Sequence, residues 1–394
     1  MKRADLIIVG GGMAAARLVQ RLGALGYPGQ VTVICEESQF GYNRVLLPGY
    51  VGGECEWHEL AAGAVEQQLD LVVHTSSRAL AVDVERKAVI LPTSELRYEQ
   101  LVFATGSRVP APACLANVRG SNKLVLRSIA DAEQLKLLCK DTGEAVVLGA
   151  GLLGLEAANA LLGLGMSVKL VHRNPRVLNR QLDSQGSDLL QNQLEAKGFE
   201  FYLNRQIASA ELDPNDRIRA VVLDQGERLT TDVLLLATGS TPNTEMARAA
   251  GIECRHGIAI DAHLQTSSAG HYAIGECAEF SGETCGLVAP THIQADVLAE
   301  NLCGGTARYL PPALATRLKV SGIELFSAGD LSNGGDEVCI NSSDHSIYRR
   351  LRFEGETLSG AVLLGDIAGA RSIEEKIGQV VSEPREREQL VFGL

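Results

Sequence analysis

The stretch LIIVGGGMAAARLVQRLGALGYPGQVTVICEE, residues 6–37, decides the fold of this chain. Leu6–Val9 is a short run of branched apolar residues, typical of a strand buried in a parallel sheet. Three glycines follow at once, and from Ala14 to Leu25 the apolar residues recur at helical spacing. Val31–Cys35 predicts a second buried strand. The stretch therefore predicts a strand, a glycine turn, a helix and a second strand.

Four positions in this stretch have the chemistry of a dinucleotide site. Gly10 makes the tight turn, Gly12 lets a pyrophosphate approach the backbone, and the small Ala15 lets the helix pack on the strand. The helix N-terminus offers N–H groups and the positive end of its dipole to the pyrophosphate. Glu36, after the second strand, can accept hydrogen bonds from the adenosine ribose. The alternative is a glycine-rich turn with no ligand.

The same pattern returns later in the chain. Ala145–Leu148 predicts a strand, Gly149–Gly154 completes G-x-G-x-x-G, a helix runs to about residue 164, and Val168–Val171 predicts the next strand. Each module also closes with a buried strand that ends in Ala-Thr-Gly, at 104–106 and again at 237–239. This internal repetition predicts two dinucleotide-binding modules.

The two modules differ where the ribose is recognised. The second strand of the second module runs into His172-Arg173-Asn174-Pro175-Arg176 instead of an acid. A carboxylate would repel a 2′-phosphate, whereas Arg173, with His172 or Arg176, would pair with it. The sequence therefore favours NADPH over NADH in the second module, while Glu36 suits an unphosphorylated ribose, as in FAD. Cations that only face solvent, with NADH as the coenzyme, are the alternative.

Composition narrows the class of protein. A chain of 394 residues is expected to form two or three domains, and its net charge of −12 argues against nucleic acid or an anionic membrane as a partner. No apolar run approaches the roughly 20 residues of a membrane span, and no signal peptide is recognisable. The nine cysteines are scattered without a C-x-x-C, which fits reduced thiols and excludes zinc or iron–sulfur ligand runs. A cytoplasmic protein is expected.

The remaining segments add one charged candidate and the outline of a C-terminal domain. Arg44 lies in a turn-rich segment and could neutralise a pyrophosphate, or be a solvated loop residue. Further elements are predicted as a hairpin-like piece at 72–91, a short strand before Gly275-Glu276, a helix at about 292–302 after Pro290, strand-like pieces at 318–326, 348–353 and 359–364, and a helix near 372–380.

Two glycine fingerprints, two Ala-Thr-Gly strand ends and the late Gly275-Glu276 together resemble the two-dinucleotide flavoprotein reductases. The resemblance implies an α/β fold with two Rossmann-like dinucleotide-binding domains of three-layer ββα type and a small α+β C-terminal domain. It implies a discontinuous FAD-binding domain at 1–110 and 242–306, an NAD(P)H-binding domain at 111–241, and the C-terminal domain at 307–394. Gly275-Glu276 stands where this family has Gly-Asp near the ribityl chain.

Longer segments, among them VICEESQFGYNRVLL, VVLGAGLLGLEAANAL and CGLVAP, resemble the flavin-binding N-terminal portion of NAD(P)H nitrite reductase large subunits. This resemblance implies an electron-transfer component of assimilatory nitrate or nitrite reduction. Its partner would be a protein acceptor with an iron–sulfur, sirohaem or molybdenum centre, and the chain would be a monomer or homodimer. A rubredoxin- or ferredoxin-type reductase is the alternative, and a redox-sensing or scaffold protein is a third interpretation.

The cysteine pattern argues against disulfide chemistry. Disulfide reductases of this family carry a cysteine pair beside the flavin, but residues 37–54 contain none and Cys55 has no close partner. Cys277 and Cys285 are eight residues apart and are interpreted as core thiols. Hydride would then pass from the nicotinamide to the flavin, and single electrons would leave it.

The resemblance also implies one catalytic candidate and a set of cofactor contacts. Glu156 resembles a glutamate that relatives place near the nicotinamide, sometimes paired with a lysine where this chain has Gly49. No metal ligand is predicted. The predicted cofactor-binding residues are Gly10, Gly12, Met13, Ala14, Ala15, Glu36, Glu37, Arg44, Val82, Ala104, Thr105, Gly106, Gly149, Gly151, Leu152, Leu153, Gly154, His172, Arg173, Gly239, Gly275, Glu276 and Pro290.

Overall fold

The computed structural model describes residues 3–61, 69–140, 143–313, 315–320, 322–332, 334–342 and 346–393. The chain divides into two compact units. The first unit comprises Met1–Leu47, Cys55–Pro110 and Ser240–Pro312, and the second comprises Pro48–Glu54, Ala111–Gly239 and Ala313–Leu394. The predicted boundaries of three domains stay a prediction.

The described residues form both strands and helices, with runs of consecutive strands at residues 71–108 and 199–242. The strands are β1 Arg3–Val9, β2 Val31–Ile34, β3 Leu71–His74, β4 Ala81–Asp83, β5 Ala88–Ile90, β6 Glu95–Phe103, β7 Ser107–Arg108, β8 Lys123–Leu124, β9 Glu144–Leu148, β10 Ser167–His172, β11 Phe199–Leu203, β12 Ile207–Leu212, β13 Ile218–Leu223, β14 Arg228–Thr230, β15 Val233–Leu236, β16 Thr241–Pro242, β17 Ile258–Ile260, β18 His271–Ala273, β19 Ala278–Phe280, β20 Glu283–Thr284, β21 Ala315–Val320, β22 Ile323–Gly329, β23 Asp336–Ser342, β24 Ile347–Glu354 and β25 Thr357–Leu364. The helices are α1 Met13–Ala24, α2 Leu47–Val51, α3 Trp57–Leu60, α4 Ala113–Ala116, α5 Ile129–Leu138, α6 Leu152–Gly163, α7 Ser184–Glu195, α8 Glu245–Ala249, α9 Val288–Leu302, α10 Ala370–Lys376 and α11 Pro384–Phe392.

The main sheet of the first unit has the strand order β3-β2-β1-β6-β5-β4. β1, β2, β3 and β6 run parallel, and β18 pairs in parallel with the last three residues of β6. β5 pairs antiparallel with the start of β6 and with β4. Alternate residues of β1 enter different cores because a strand points successive side chains to opposite faces. Leu6 and Ile8 pack towards α1 and α9, and Ile7 and Val9 pack towards the β4–β5 hairpin. This gives a helix layer, a parallel layer and an antiparallel layer.

The second unit repeats this plan and adds the C-terminal sheet. Its parallel sheet has the order β11-β10-β9-β15-β8, beside the antiparallel β12-β13-β14. The C-terminal sheet is antiparallel, in the order β21-β22-β25-β24-β23, and α10 and α11 pack against its core. The prediction of two strand–turn–helix–strand modules with a small α+β part is confirmed.

The structure corrects several predicted boundaries. α9 begins at Val288, so Pro290 lies within its first turn instead of preceding it; a proline is tolerated there because first-turn N–H groups have no helical acceptor. The predicted strand at 318–326 is a hairpin of β21 and β22, with residue 321 outside the described residues. β23 and α11 were not predicted, because one is largely exposed and the other is rich in charged residues. The helix near 372–380 is the shorter α10.

In the described part of the chain, no helix is both long enough and apolar enough to cross a bilayer.

Candidate functional site

The first glycine turn lies at the carboxyl end of β1. Gly10 has a φ of +117°, and a Cβ at this position would lie 2.1 Å from the carbonyl oxygen of Ala104 at the end of β6. The Gly10 N–H donates to the carbonyl of Ile34 at 2.9 Å, so the turn is attached to both neighbouring strands. Only glycine fits here, because any side chain would meet backbone and adopt the left-handed region.

The other two glycines of this turn have different roles. A Cβ on Gly11 would lie 2.2 Å from the Sγ of Cys35, so this glycine is needed for packing, which the sequence reasoning missed. The sequence did carry a signal for this constraint, because Gly11 stands at a position where the G-x-G motif does not require glycine. A Cβ on Gly12 would meet only the Arg44 guanidinium, at 3.7 Å. Arg44 therefore lies beside the start of α1, where a pyrophosphate would sit.

Helix α1 begins at Met13 with Gly12 as its N-cap, and no side chain among the described residues caps it. Its first internal hydrogen bond is from the Ala16 N–H to the Gly12 carbonyl, which leaves the preceding N–H groups to a ligand or water. Ala15 is fully buried against the strand. This arrangement has the free N–H groups and dipole end that suit an anion such as the pyrophosphate of a dinucleotide.

The late Gly275-Glu276 motif lies next to the first glycine turn. Gly275 has a φ of +80°, and a Cβ on it would lie 3.0 Å from the Cβ of Ala14 in α1. Its N–H donates to Oε1 of Gln294 in α9 at 2.7 Å. The Glu276 carboxylate accepts a hydrogen bond from Ser107 Oγ at 3.0 Å. The structure thus brings together two motifs that are more than two hundred residues apart in sequence.

The end of β6 is attached to the same region through Asn243. Thr105 Oγ1 donates to the Asn243 carbonyl at 2.8 Å, and the Asn243 amide donates to the Thr105 carbonyl at 2.9 Å. The Asn243 N–H donates to the carbonyl of Gly106, which has a φ of +64°. Asn243 therefore holds the first Ala-Thr-Gly, a role that the sequence analysis did not assign.

The acids after β2 have separate partners. Glu36 is exposed and lies 3.7 Å from Arg78, whereas Glu37 pairs with Arg44 and accepts a hydrogen bond from the buried Tyr42 hydroxyl at 2.6 Å. Glu36 is therefore the more accessible carboxylate for a ribose. The side chain of Val82, also predicted to contact a cofactor, is buried in the core of the first unit, so only its backbone is available to a ligand.

The second glycine turn repeats the first in the second unit. Gly149 has a φ of +121°, and a Cβ on it would lie 2.2 Å from the Ala237 carbonyl oxygen at the end of β15. A Cβ on Gly154 would lie 2.0 Å from the Gly149 carbonyl, so α6 packs too closely for any side chain there. Gly151, the uncapped N-cap of α6, has open space around it, as does Gly239. Leu152 begins α6, and Leu153 is exposed.

Strand β10 of the second module ends at His172, and Arg173 follows it. His172 Nδ1 accepts a hydrogen bond from the Ala150 N–H at 3.3 Å, and burial lowers the pKa of the ring. A neutral His172 orients the glycine turn and does not supply positive charge. Arg173 is exposed and has no ion-pair partner within the described residues, so its guanidinium is available to a phosphate.

Glu156 lies on α6, two residues after the last glycine of the fingerprint. Burial alone raises the pKa of its carboxyl to about 7. Segment 48–54 belongs to the same unit, and a Cβ on its Gly52 would lie 3.3 Å from Ala160 of α6. Among the described residues, no cationic partner contributes to the pKa of Glu156.

The cysteines of this chain are free thiols, and three of them are fully buried. Cys277 is buried in the core of the first unit and Cys285 is half-buried, and neither forms a disulfide. Burial raises the pKa of seven thiols, those of Cys35, Cys139, Cys254, Cys277, Cys285, Cys303 and Cys339. Raised values disfavour the nucleophilic thiolate. Within the described part of the chain, no three His, Cys, Asp or Glu side chains converge on a possible metal site.

Two protein-family profiles together match most of the chain. The profile of the pyridine nucleotide-disulphide oxidoreductases matches residues 4–295, and that of the rubredoxin NAD+ reductase C-terminal domain matches residues 315–380.

Curated relatives span two kinds of reductase. The chain is 35% identical to a nitrite reductase [NAD(P)H] and 33% identical to an assimilatory nitrate reductase electron transfer subunit, both of Bacillus subtilis; each match covers 93% of this chain. It spans about half of those proteins, 46% and 48%. It is 30% identical to the rubredoxin-NAD(+) reductase of Ectopseudomonas oleovorans, over 83% of this chain and 87% of that one. The solved ferredoxin reductase of Rhodopseudomonas palustris superposes with a TM-score of 0.86 at 25% identity, covering 98% of this chain and 97% of that one.

Proposed function

Because the chain belongs to the pyridine nucleotide-disulphide oxidoreductase family, whose members depend on FAD and NAD(P)H, we propose that it carries electrons from NAD(P)H through FAD to a protein acceptor. We propose further that it is the electron-transfer component of an assimilatory nitrate or nitrite reductase system. The observation that carries the proposal is the pair of glycine turns, which have the same geometry but different residues at the ribose position.

The first unit has the residues to hold FAD. The uncapped N-terminus of α1 and the neighbouring Arg44 suit the pyrophosphate, and Glu36 suits the adenosine ribose. Gly275 and Glu276, packed against the same turn, suit the ribityl end of the cofactor. When bound, FAD supplies the chemistry of accepting a hydride and releasing single electrons. The polypeptide binds and orients it.

The second unit has the residues to hold the nicotinamide coenzyme. The N-terminus of α6 is uncapped and open at Gly151, which suits a pyrophosphate. NADPH is proposed as the preferred form because Arg173 is exposed and unengaged, while a 2′-phosphate needs a cation. His172 is not proposed to supply positive charge to the 2′-phosphate, since burial lowers the pKa of its ring and its Nδ1 accepts a hydrogen bond from the Ala150 N–H. Glu156 is proposed as a site residue whose carboxyl titrates near neutral pH.

The acceptor is proposed to be a protein that takes single electrons, with an iron–sulfur, sirohaem or molybdenum centre. The raised pKa values of Cys277 and Cys285, the two thiols near the Gly275 turn in sequence, support this proposal, since they disfavour the thiolate at these positions. The two Bacillus subtilis relatives by name reduce nitrite or serve nitrate reduction. The cytoplasm, and a monomeric or homodimeric state, remain predictions.

A second candidate is a rubredoxin- or ferredoxin-type reductase. The match of residues 315–380 to the rubredoxin NAD+ reductase C-terminal domain favours it, as does the relative that this chain covers over 87% of its length. The two candidates share the first half of the reaction and differ only in the acceptor.

The test begins with the purified yellow protein and ferricyanide as an artificial acceptor. The proposal expects oxidation of NADPH or NADH, with NADPH preferred; failure with both coenzymes would contradict the enzyme function. Candidate acceptors are then compared in the same assay. Reduction of a nitrate or nitrite reductase core at a higher kcat/KM than of rubredoxin or a ferredoxin supports the first candidate, and the reverse order supports the second.

A further inference from the structure

Helix α9 buries an amide side chain among apolar residues. Gln294 is 4% exposed, and its neighbours Ala295 and Leu298 belong to the core that α9 shares with α1. Burying an amide costs free energy unless its oxygen and its nitrogen both find hydrogen-bond partners. An apolar residue would suit this position if packing were its only task, so the partners of Gln294 indicate what the amide does.

The Gln294 side chain connects the two segments that flank α9. Its Oε1 accepts a hydrogen bond from the Gly275 N–H at 2.7 Å, and the side chain also hydrogen-bonds to the hydroxyl of Tyr309. Because Oε1 serves Gly275, the amide nitrogen is the donor to Tyr309. Both functional groups of the amide are therefore used.

Tyr309 is itself held in place by other contacts. It is 3% exposed, and its ring lies edge-on to Phe280 with the ring centroids 5.3 Å apart. Its backbone N–H donates to the carbonyl of Ala262 at 2.7 Å. Tyr309 is thus a fixed point that keeps the Gln294 side chain in one conformation.

The Gly275 peptide has little freedom in the cradle of the first unit. Gly275 is buried with a φ of +80°, and a Cβ on it would lie 3.0 Å from the Cβ of Ala14 in the first turn of α1. The next residue, Glu276, accepts a hydrogen bond from Ser107 Oγ at 3.0 Å. Without Gln294 the buried Gly275 N–H would lose its acceptor, and the segment would be held from one side only.

We propose that Gln294 is a positioning residue of the FAD site, which orients Gly275-Glu276 towards the ribityl chain by accepting from the Gly275 N–H, and that Tyr309 holds Gln294 in the conformation that does so. The inference rests on the proposed function, since it needs FAD in the first unit. Gln294 acts through Gly275, so its loss should weaken FAD binding while the fold is kept.

The same helix offers a matched control two turns further on. The Asn301 amide donates to the Ala307 carbonyl at 3.0 Å, so it also joins α9 to the segment that carries Tyr309. It lies about 10 Å beyond Gln294 along the helix. Gln294→Met and Asn301→Leu each replace an amide by an apolar side chain of similar shape, and they should lower the melting temperature by similar amounts.

The test measures the dissociation constant of FAD from the full-length protein by flavin fluorescence, at pH 5 and at pH 8. Gln294→Met should bind FAD about 10- to 100-fold more weakly than the parent protein, because the Gly275 N–H loses its acceptor. Tyr309→Phe keeps the ring but removes the hydroxyl, and should bind about threefold to tenfold more weakly. Asn301→Leu should bind FAD as the parent does.

Gln294→Glu separates positioning from packing. A protonated glutamic acid offers the same acceptor and donor as the glutamine amide, whereas the ionised carboxylate has no donor and is costly to bury. Burial raises the pKa of such a carboxyl, so it is protonated at pH 5. The affinity of this variant should match the parent at pH 5 and be about tenfold weaker at pH 8.

The other titratable groups around α9 do not produce this difference. Burial raises the pKa values of Tyr309 and Cys285, which therefore stay neutral from pH 5 to pH 8. Arg17 of α1 pairs with Asp296 of α9 at 2.7 Å. Each variant is compared with the parent at the same pH, which removes the contributions of Glu276 and His292 that both proteins share.

An unchanged FAD affinity in Gln294→Met would overturn the inference, as would an equal loss in Asn301→Leu. A Gln294→Glu that binds FAD equally weakly at both pH values, relative to the parent, would also overturn it. If Gln294→Met does not fold, Gln294→Glu and Tyr309→Phe decide the question. A parent protein that binds FAD and oxidises NAD(P)H while the variants bind FAD alike refutes only the role of Gln294, whereas a parent protein that binds no FAD refutes the proposed function.

Discussion

The two glycine turns of this molecule are nearly superimposable in their backbone requirements. Gly10 and Gly149 have φ values of +117° and +121°, and added Cβ atoms would lie 2.1 and 2.2 Å from the carbonyl oxygens of Ala104 and Ala237. The Ala104 N–H donates to the carbonyl of Val9 at 2.8 Å, and the Ala237 N–H donates to the carbonyl of Leu148 at 2.9 Å. Val9 and Leu148 are the last residues of β1 and β9. The turn geometry alone therefore does not distinguish the two ligands.

The difference lies at the ribose end of each module. The first ends in the exposed Glu36, while the second ends in a neutral His172 and an exposed Arg173. A ribose hydroxyl suits the acid and a 2′-phosphate suits the cation. The comparison indicates that the two glycine turns share one backbone design, and we propose that a few residues after the second strand divide the ligands.

The largest expected effect comes from a matched pair of substitutions, Gly10→Ala and Gly149→Ala. Each new Cβ would meet a backbone carbonyl and hold a left-handed φ, which costs several kcal/mol locally. Gly10→Ala should lose FAD and be colourless. Gly149→Ala should stay yellow but lose reduction by NAD(P)H. Flavin absorbance and NADPH:ferricyanide activity measure the two losses.

Circular dichroism controls for general unfolding in this pair. A colourless Gly149→Ala that is still folded, or a Gly10→Ala that keeps its flavin, would show that the two turns do not divide the cofactors as proposed.

The next effect concerns the preference for NADPH. Arg173→Gln removes the cation proposed to meet the 2′-phosphate, so kcat/KM with NADPH should fall about 10- to 100-fold while that with NADH is unchanged. Arg119→Gln, at another exposed arginine of the second unit, is the control and should leave both values unchanged. An equal loss with both coenzymes would remove the basis for assigning NADPH.

A third prediction uses the buried carboxyl of Glu156. Its pKa of about 7 in the folded protein lies above the 4.5 that is usual for an exposed glutamate, so the burial cost is absent below pH 4.5, grows with rising pH, and is complete above pH 7. Glu156→Gln avoids the charge and should be more stable than the parent by up to about 3 kcal/mol at pH 8, but not at pH 4.5. Chemical denaturation across this range measures the difference.

Glu144 provides a control of opposite sign in the same unit. Hydrogen bonds from Lys169 and Thr230 lower the pKa of its carboxyl. Its contribution to stability is present above the unfolded value and is lost as the pH falls. Glu144→Gln should thus be less stable than the parent at pH 8 and approach it in acid. If both variants changed with pH in the same direction, burial would not be the cause for Glu156.

The smallest effect is expected at the exposed end of the first module. Arg78 lies 3.7 Å from Glu36, and both side chains are about two thirds exposed, 69% and 68%. Such pairs contribute little in water. Arg78→Ala should change the affinity for FAD by less than twofold in a flavin-release titration. A larger loss would mean that Arg78 contacts the cofactor itself.

Much of this architecture could be predicted because the local pattern and the tertiary role agree. The glycine turns, the strands beside them and the Ala-Thr-Gly ends are all specified by short segments. Gly11 was missed because its constraint is the side chain of Cys35, which directly follows β2 and meets Gly11 only in the folded chain. The role of Asn243 depends on its contact with Thr105, 138 residues away, which one sequence cannot reveal. Gln294 lies only 19 residues from Gly275, but the hydrogen bond between them depends on how α9 packs beside the Gly275 turn.

The central claim is that electrons enter and leave through the flavin alone, with no cysteine pair. An anaerobic titration of the FAD-loaded protein with NADPH, followed by visible absorbance, tests it most directly. The account predicts complete bleaching of the flavin after one equivalent of NADPH per FAD, followed by full reoxidation with ferricyanide. A requirement for a second equivalent before bleaching is complete would reveal a redox-active disulfide and contradict it.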